Sequence, residues 1–300
     1  MWKLQLVKSW KAELMLFSAT FIWGATFIFT KVGLDDCPPS LFVILRFCIA
    51  LLLSLAFFGK HLKSIDRVIF KRGAILGLLF GGGFLLQTYG LSYTTVSKSA
   101  FITGMTVPIT PFVFYLIQRK PIQLWSKIGV AVSSIGLYIF TDPSIDNINF
   151  GDVLTLLSTF FWAFYITLMD KYTKNDRGFN LTAAYVVMQF IAATPLAVIS
   201  FFLLDYGDIY FNPTKDLFIA LAFNGILASF FVTFIHTGVQ KYTTPVKAAL
   251  IFSLEPVIAG FIAALTLSEY LNIREYIGAS IMMAGLFISE VGGFFEKRRK

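Results

Sequence analysis

Runs of apolar residues, separated by short polar turns, recur along the whole chain. Each run holds about 17 to 25 residues, the length that an α-helix needs to cross about 30 Å of hydrocarbon. Turn residues fill the connections, as in "DDCPPS" and "TDPSIDNINFG". The pattern predicts an all-α integral membrane protein with ten transmembrane helices: 12–31, 38–58, 73–92, 97–117, 124–140, 151–170, 180–204, 216–239, 246–267 and 275–293.

Composition supports this class of protein. Hydrophobic residues make up 57% of the 300 residues and charged residues only 14%, against roughly 25% charged residues in an average soluble domain. The net charge of +8 could indicate a nucleic-acid partner, but the basic residues lie in short loops rather than on one continuous face. Membrane orientation explains them better, so we expect the lipid bilayer as a partner and no nucleic acid.

The basic residues also predict the orientation. With the N-terminus inside, cytoplasmic segments hold 20 Lys and Arg residues and a span holds Arg46, whereas the outside loops hold only Lys31, Lys98, Lys215 and Arg274. This bias places both termini in the cytoplasm. The first apolar run lacks a convincing cleavage site, so it should remain as the first helix.

A motif of the form Tyr-Thr-Thr-x-x-Lys-x-Ala occurs at 93–100 and again at 242–249. At the same offset of 149 residues the register continues without a gap, with coincident pairs that include Ile102/Ile251, Gly129/Gly278, Gly136/Gly285 and Leu137/Leu286. Because the repeat unit contains five spans, its second copy must enter the membrane from the opposite side. We therefore predict two inverted five-helix repeats, 1–145 and 146–300, the second ending in a basic cytoplasmic tail; such repeats are typical of secondary transporters.

Several longer segments resemble one transporter family. They are "WGATFIFTK" (23–31), "GLSYTTVSKSAFITGMTVPITPF" (90–112) and "YTTPVKAALIFSLEPVIAGFIAALTLSE" (242–269), followed by "IGASIMMAGLFISE". Together they resemble the EamA-type branch of the drug/metabolite transporter superfamily over about residues 12–292. The chain departs from the family's Gly-Glu after helix 4, where it has Arg119-Lys120, and keeps only the Glu in Ser268-Glu269.

This resemblance implies a ten-helix transporter of the bacterial cytoplasmic (inner) membrane, commonly an exporter of amino acids or other small metabolites. It also implies that helices 1, 3, 4, 6, 8 and 9 line a central cavity, while helices 5 and 10 pack outside them.

Glu255 is the strongest candidate for transport chemistry. It lies about eight residues into helix 9, near the bilayer midplane, where an ionisable side chain costs at least about 2.5 kcal/mol. Its neighbour Pro256 cannot donate to the carbonyl of Phe252, which opens the helix locally. We expect Glu255 to bind a substrate amine or to exchange a proton. Pairing with a buried cation, or capping the opened backbone, is the structural alternative.

Other polar and aromatic residues fall mid-span on the predicted cavity helices. The hydroxyl row Ser99, Thr103, Thr106 and Thr110 either faces the cavity or bonds its own backbone. Mid-span indoles need a buried partner or a wet cavity, although aromatic stripes more often pack. Gln87 and His236 are expected at the rim, His236 at the interface rather than in catalysis. The predicted cavity set is Trp23, Gln87, Thr103, Thr106, Trp162, Tyr165, His236 and Glu255.

Three basic residues are candidates for gating or charge pairing. Arg46, inside helix 2, can snorkel to the interface, meet a substrate carboxylate or pair with an acid. Lys98 and Lys247 stand at helix N-termini, where the macrodipole disfavours a cation. They either anchor the helices at the interface or gate the cavity, each meeting a partner when its own side closes. The expected helix breaks are Pro108, Pro111 and Pro256.

Small residues and cysteines complete the inventory. Small faces on helices 5 and 10 suit close helix packing or a contact in a weak homodimer; they are formed by Gly129, Ser133, Gly136, Gly278 and Gly285. Cys37 and Cys48 are expected to be free thiols, because one lies in a loop and the other well inside a helix.

The sequence thus predicts a secondary transporter, monomeric or weakly dimeric, that moves a small amino-acid-like, zwitterionic or neutral solute by alternating access. We expect it to work as an exporter coupled to protons through Glu255. An enzyme is disfavoured, because His61 and His236 lie on different segments and metal or nucleophile motifs are missing, so we expect no cofactor and no metal. A non-transporting receptor or scaffold on the same fold is the alternative.

Overall fold

The computed structural model describes residues 9–141, 149–175, 178–207, 209–266 and 272–298, and these residues form helices without strands. The predicted repeat boundary at 145/146, the Ser268-Glu269 pair and the end of the basic tail, Arg299 and Lys300, lie outside the described residues. The α-helices are α1 Ser9–Leu34, α2 Pro39–Phe58, α3 Arg67–Tyr93, α4 Val96–Gly104, α5 Thr106–Gln118, α6 Leu124–Thr141, α7 Phe150–Thr173, α8 Phe179–Ser200, α9 Lys215–Ala222, α10 Val232–Val239, α11 Pro245–Phe252, α12 Glu255–Thr266 and α13 Ile273–Arg298.

The helices group into membrane spans. Within the described residues, eight helical stretches are long and apolar enough to cross a bilayer, and two shorter apolar helices, Leu124–Phe140 and Tyr276–Ser289, lie where the fifth and tenth spans are predicted. Large apolar side chains such as Phe112 and Leu203 are exposed on the outer surface, as expected for residues that face lipid. The prediction of an all-α protein with many membrane spans is therefore confirmed.

The predicted fourth and ninth spans are each divided into two helices. α4 ends at Gly104 and α11 ends at Phe252. These residues lie four positions before Pro108 and Pro256, and their carbonyls receive no helical hydrogen bond because proline has no N–H to donate. The chain resumes as α5 one residue later and as α12 after Ser253 and Leu254. Pro111, in contrast, lies inside α5 without a further interruption.

A π-helical stretch, Phe223–Phe231, joins α9 to α10, so the predicted eighth span also departs from regular α-helix. The departure lies directly before the α10 segment that carries His236. π-Helical segments are rare in proteins, and those that occur are often found at functional sites.

Small residues let α3 and α8 pack closely. Gly73, Gly77 and Gly81 lie four residues apart on one face of α3, and a Cβ at Gly77 would lie 2.3 Å from the carbonyl oxygen of Gln189 on α8. Since real Cβ atoms do not approach an oxygen so closely, these glycines set the distance between the two helices. α3 also packs against α7, which brings its residues next to the aromatic side chains of that helix.

α6 and α13 pack against each other through their glycines. A Cβ at Gly129 would lie 2.6 Å from the carbonyl oxygen of Gly285 on α13, and a Cβ at Gly136 would lie 2.8 Å from the carbonyl oxygen of Gly278. The first glycine of α6 therefore meets the second of α13, and the second meets the first, so the two helices run antiparallel. Their small faces are covered within one chain, which makes them packing surfaces rather than a dimer contact.

We expect Gly278→Ala to lower the melting temperature of the purified protein in detergent, because the added methyl group would lie 2.4 Å from the backbone nitrogen of Phe140. Overpacking of this kind costs about 1 to 3 kcal/mol. The matched control is Gly59→Ala, where no atom lies within 4 Å of the added methyl group. Equal melting temperatures for the two variants would contradict the close packing of α6 and α13.

Candidate functional site

A central cavity of roughly 530 Å³, measured with the part that opens outward, lies where the broken helices meet. It is walled by α1, α3, α4, α5, α7, α10, α11 and α12. The structure brings all eight residues of the predicted cavity set to this wall, namely Trp23, Gln87, Thr103, Thr106, Trp162, Tyr165, His236 and Glu255. Gly104 and Phe252, at which the two broken helices stop, line the same cavity. The cavity therefore adjoins both helix breaks.

Glu255 is the acidic residue on the cavity wall. It is the first residue of α12, directly after the break, and only 7% of it is exposed. Among the residues that the structure describes, no Lys, Arg or His nitrogen lies within 4.0 Å of its carboxylate. The N-terminus of α12 provides some favourable dipole interaction for a negative charge. Pairing with a buried cation, one of the structural alternatives, is not seen.

Two indoles form an aromatic part of the wall, with ring centroids 6.3 Å apart. Trp23 donates from Nε1 to the carbonyl oxygen of Ala228 at 3.1 Å. Trp162 is different, since its Nε1 is buried and has no hydrogen-bond partner among the described residues. A buried donor without a partner is uncommon in native proteins, and here it lies on a cavity wall where a ligand or water can accept from it.

The interpretation of His236 as an interfacial residue at the rim is wrong. Its side chain is fully buried, and its ring packs edge-on against Trp23, Tyr165 and Phe252 at centroid distances of 5.2 to 5.6 Å. Its Nε2 lies 2.9 Å from Oε1 of Gln240, one turn further along the chain. The segment that directly precedes α10 is π-helical, so a regular α-helical pattern does not describe this span.

The hydroxyl row of the fourth span bonds mainly to its own backbone. Thr103 donates to the carbonyl of Ser99 at 2.9 Å, Thr106 to that of Thr103 at 2.7 Å, and Thr110 to that of Thr106 at 2.7 Å. These donors are therefore used inside the helix, as the packing alternative expected. Thr103 still accepts a hydrogen bond from Nε2 of Gln87 at 2.8 Å, which ties α3 to α4 beside the cavity.

Lys98 and Lys247 each form an ion pair with an acid in the first turns of another helix. Nζ of Lys98 lies 2.8 Å from Oδ2 of Asp152 on α7, and Nζ of Lys247 lies 3.4 Å from Oε1 of Glu13 on α1. In addition, Asp152 accepts from Thr94 at 2.7 Å, and Glu13 accepts from Thr243 at 3.2 Å. The repeated Thr and Lys of the motif thus hold one carboxylate in each copy. Both lysines predicted for gating or charge pairing, Lys98 and Lys247, are thus ion-paired in this structure.

The two ion pairs lie at opposite ends of α1. Glu13 is in its first turns, whereas Lys31, near its last turn, donates to the carbonyls of Leu91 and Thr94 beside the Lys98 pair. Eighteen residues separate Glu13 from Lys31, which corresponds to about 27 Å of helix. One ion pair therefore lies near each end of α1, with the cavity residue Trp23 between them.

Arg46 does not snorkel to the interface, because only 1% of it is exposed. It lines a smaller pocket of about 220 Å³ that shares Thr26, Phe27, Phe84 and Gln87 with the central cavity. The sequence signal that suggested snorkelling, its distance from the span end, says nothing about which way the side chain points.

Several site residues are missing from the sequence-based set. Thr26 and Phe84 line the central cavity. The sequence hint for Phe84 is its position three residues before Gln87, which places both residues on the same face of α3. The acids Glu13 and Asp152 were missed because they do not coincide in the 149-residue register, being 139 residues apart. A search for acids in the first turn of corresponding spans, rather than at a fixed offset, finds both.

The fold and the cavity define the class of this molecule as a multi-pass membrane protein with an internal cavity at two helix breaks. The model of the EamA-like transporter family matches the chain twice, over residues 10–141 and 149–290. The chain therefore belongs to the EamA-like transporter family. It is a membrane transporter of a small molecule, which confirms the resemblance seen in the sequence.

Relatives extend over nearly the whole chain. An uncharacterized transporter of Archaeoglobus fulgidus is 30% identical over 94% of this chain and 86% of its own length. A protein of Salmonella typhimurium named "Probable amino-acid metabolite efflux pump" is 27% identical over 93% of each chain. A crystal structure aligns over 93% of this chain and 96% of its own chain with a TM-score of 0.74 at 13% identity, so the fold is shared. These names point to a transporter and not to an enzyme.

We expect Lys247→Met to destabilise the protein more than Lys98→Met. The side chains of the Lys247 pair are 11% and 12% exposed, whereas Lys98 is 36% exposed. Loss of the Lys98 pair should cost about 0.2 to 1 kcal/mol of the free energy of unfolding, and loss of the Lys247 pair about 1 to 3 kcal/mol. Thermal unfolding in detergent at low and high salt measures both.

Lys127→Met, at an exposed lysine outside these pairs, is the matched control and should leave the melting temperature unchanged. The effect of Lys98→Met should shrink at high salt, because exposed charges are screened. A loss for Lys98→Met that equals that of Lys247→Met would speak against the different burial of the two ion pairs.

Proposed function

We propose that this transporter is a secondary carrier that moves a small amino-acid-like, zwitterionic or neutral metabolite across the bacterial inner membrane, and that it works as an exporter. The observation that carries the proposal is Glu255, an acid buried on the wall of a central cavity without a basic partner among the described residues. Intramembrane acids facing a cavity commonly bind substrate or protons. The broken helices beside it are a construction found at carrier binding sites.

The cavity wall supports this class of substrate. It offers one acid, the indole N–H of Trp162, the amide of Gln87 and several aromatic rings. An amine fits the acid, and an apolar or aromatic side chain fits the rings. A relative named "Probable amino-acid metabolite efflux pump" agrees with an exported solute of this kind. We infer that one chain suffices for transport, since the cavity is built by a single chain.

We further propose that ten helices cross the membrane as two inverted five-helix repeats, with both termini in the cytoplasm. One observation supports the repeat and a second supports its inversion. The family model matches two consecutive stretches of similar length, and α6 and α13, whose glycines coincide in the 149-residue register, pack antiparallel. Helices that correspond in the two repeats and run in opposite directions are what an inverted repeat requires.

The ion pairs provide a mechanism for alternating access. Lys98 with Asp152 joins the segments at one end of the cavity, and Lys247 with Glu13 joins them at the other. We propose that opening one face separates one pair while the other stays closed, and that α4–α5 and α11–α12 bend at their breaks during this motion. Because each pair contributes only a small free energy, thermal motion and substrate binding can shift the balance between the two open states.

Counterflow in proteoliposomes tests the carrier proposal. Vesicles that contain the purified protein are loaded with one unlabelled L-amino acid, and the same labelled amino acid is added outside at low concentration. A carrier produces a transient accumulation of label that saturates with concentration. Absence of counterflow for every standard amino acid and for a panel of small neutral metabolites would refute the proposal and favour a receptor.

The inverted topology predicts opposite labelling of two exposed lysine positions. In a background with Cys37 and Cys48 replaced by Ser, Lys60→Cys should be protected from an impermeant maleimide on intact cells, whereas Lys215→Cys should react. Both positions are exposed, so burial does not explain a difference. Opening the cells should make Lys60→Cys reactive and serves as the control. Labelling of both positions from the same side would exclude the inversion.

Proton coupling through Glu255 predicts that Glu255→Gln abolishes the response of transport to an imposed pH gradient. The amide cannot release a proton, so wild-type flux should rise with the gradient and variant flux should not. Flux in proteoliposomes at several pH values measures the response. His236 and Tyr165 also line the cavity, so a response that persists in the variant would move the coupling to another group.

Asp216→Asn is the matched control, because Asp216 is an exposed acid on α9 away from the cavity wall. It should keep the wild-type response to the gradient. Transport by Glu255→Gln that matches the wild type across the pH range would remove the coupling role of Glu255 and leave the carrier proposal in place.

A further inference from the structure

Arg46 is a buried cation beside the central cavity that the transport mechanism above does not use. It lies on α2, is 1% exposed, and lines the smaller pocket together with Thr30, Thr88 and Leu91. This pocket and the central cavity share four lining residues on α1 and α3, namely Thr26, Phe27, Phe84 and Gln87. The two spaces are therefore neighbours separated by no more than one layer of side chains.

The guanidinium of Arg46 is only partly satisfied by the protein. Nε donates to Oγ of Ser229 at 3.1 Å, and the ring of Phe84 lies 4.0 Å from Cζ. Nη2 is buried and has no hydrogen-bond partner in the part of the chain that the structure describes. Among the residues that the structure describes, no carboxylate oxygen lies within 4.0 Å of this side chain. A hydroxyl and a ring do not balance a full positive charge.

A buried guanidinium normally has a carboxylate or phosphate partner, because removing an unpaired charge from water costs several kcal/mol. Its planar fork of N–H groups matches the two oxygens of a carboxylate. The hydrogen bond to Ser229 and the ring of Phe84 fix the orientation of the fork and leave Nη2 available. The side chain is thus preorganised for an anionic group that the described part of the protein does not supply.

We propose that Arg46 binds the carboxylate of the transported solute, with the smaller pocket as the carboxylate subsite. The inference rests on the proposed carrier function and narrows its substrate class to carboxylate-bearing solutes. The solute's amine then faces the central cavity, where Glu255 is the acid on the wall, and Phe84 lines both spaces. A zwitterion neutralises both buried charges at once, whereas a simple amine or a neutral solute leaves Arg46 unpaired.

A purely structural role for Arg46 makes a different prediction. The Nε–Ser229 hydrogen bond joins α2 to the π-helical segment Phe223–Phe231, so Arg46 also stabilises the packing of these elements. Loss of such a tether lowers stability and reduces transport of all solutes alike. Discrimination between a carboxylate and its neutral isostere, in contrast, depends on a charge that contacts the solute.

The test uses the counterflow assay with competitors that differ in one group. For each transported L-amino acid, the competitors are the unlabelled amino acid, its carboxamide and the corresponding decarboxylated amine. Wild-type protein should bind the amino acid about tenfold or more tightly than the carboxamide, as expected for one charge-assisted contact. In Arg46→Gln the affinity for the amino acid should fall to that for the carboxamide, and carboxamide affinity should stay unchanged. Arg46→Lys should recover part of the discrimination.

Arg67→Gln, at an exposed arginine of α3, is the matched control and should keep the wild-type ratio. Equal competition by amino acid and carboxamide on wild-type protein would overturn the proposal, and this measurement needs no variant to fold. Unchanged discrimination in Arg46→Gln would also overturn it. Counterflow of amines or neutral solutes alone would refute the carboxylate subsite and leave the carrier function standing. Absence of counterflow for every solute would instead refute the carrier function itself.

Discussion

The backbone inside a bilayer has to satisfy its own hydrogen bonds, because hydrocarbon offers no partners, and this constraint shapes the centre of the protein. Pro108 and Pro256 each remove one N–H from a span, and the helices stop at Gly104 and Phe252, where the missing bonds would have been made. Both of these residues line the central cavity. Irregular backbone is tolerated at membrane depth where it is buried in protein or borders a water-filled space, which fits the position of both breaks at the cavity wall beside Glu255.

The Tyr-Thr-Thr-x-x-Lys-x-Ala motif by which the repeat is recognised also joins its two copies. Lys98 of the first copy pairs with Asp152, which follows the predicted boundary, and Lys247 of the second copy pairs with Glu13 of the first. Each copy thus uses its lysine to hold the first helix of the other. The threonine four residues before each lysine contacts the same carboxylate, so the repeated Thr and Lys act together on one acid in each case.

Much of this architecture can be predicted from the sequence, and the features that could not be predicted share one cause. Span positions follow from the length of apolar runs, and mid-span polar or aromatic residues were sufficient to choose eight residues that line one cavity. The direction of Arg46, the burial of His236 and the partners of Lys98 and Lys247 were not accessible in the same way. Each depends on which neighbouring helix a side chain meets, and two of them lie next to segments that depart from regular α-helix.

The sequence by itself determined the membrane class, the family and the helix breaks before Pro108 and Pro256, because these depend on hydrophobic length, on motifs and on the missing N–H of proline. Pro111, also predicted to break a helix, lies inside α5. Only the tertiary structure decided which charges are paired. Glu13 lies 234 residues from Lys247, and Asp152 lies 54 residues from Lys98. Arg46 lies 183 residues from Ser229. Whether a buried charge has a partner is a property of packed helices, so a linear pattern of polar residues does not contain it.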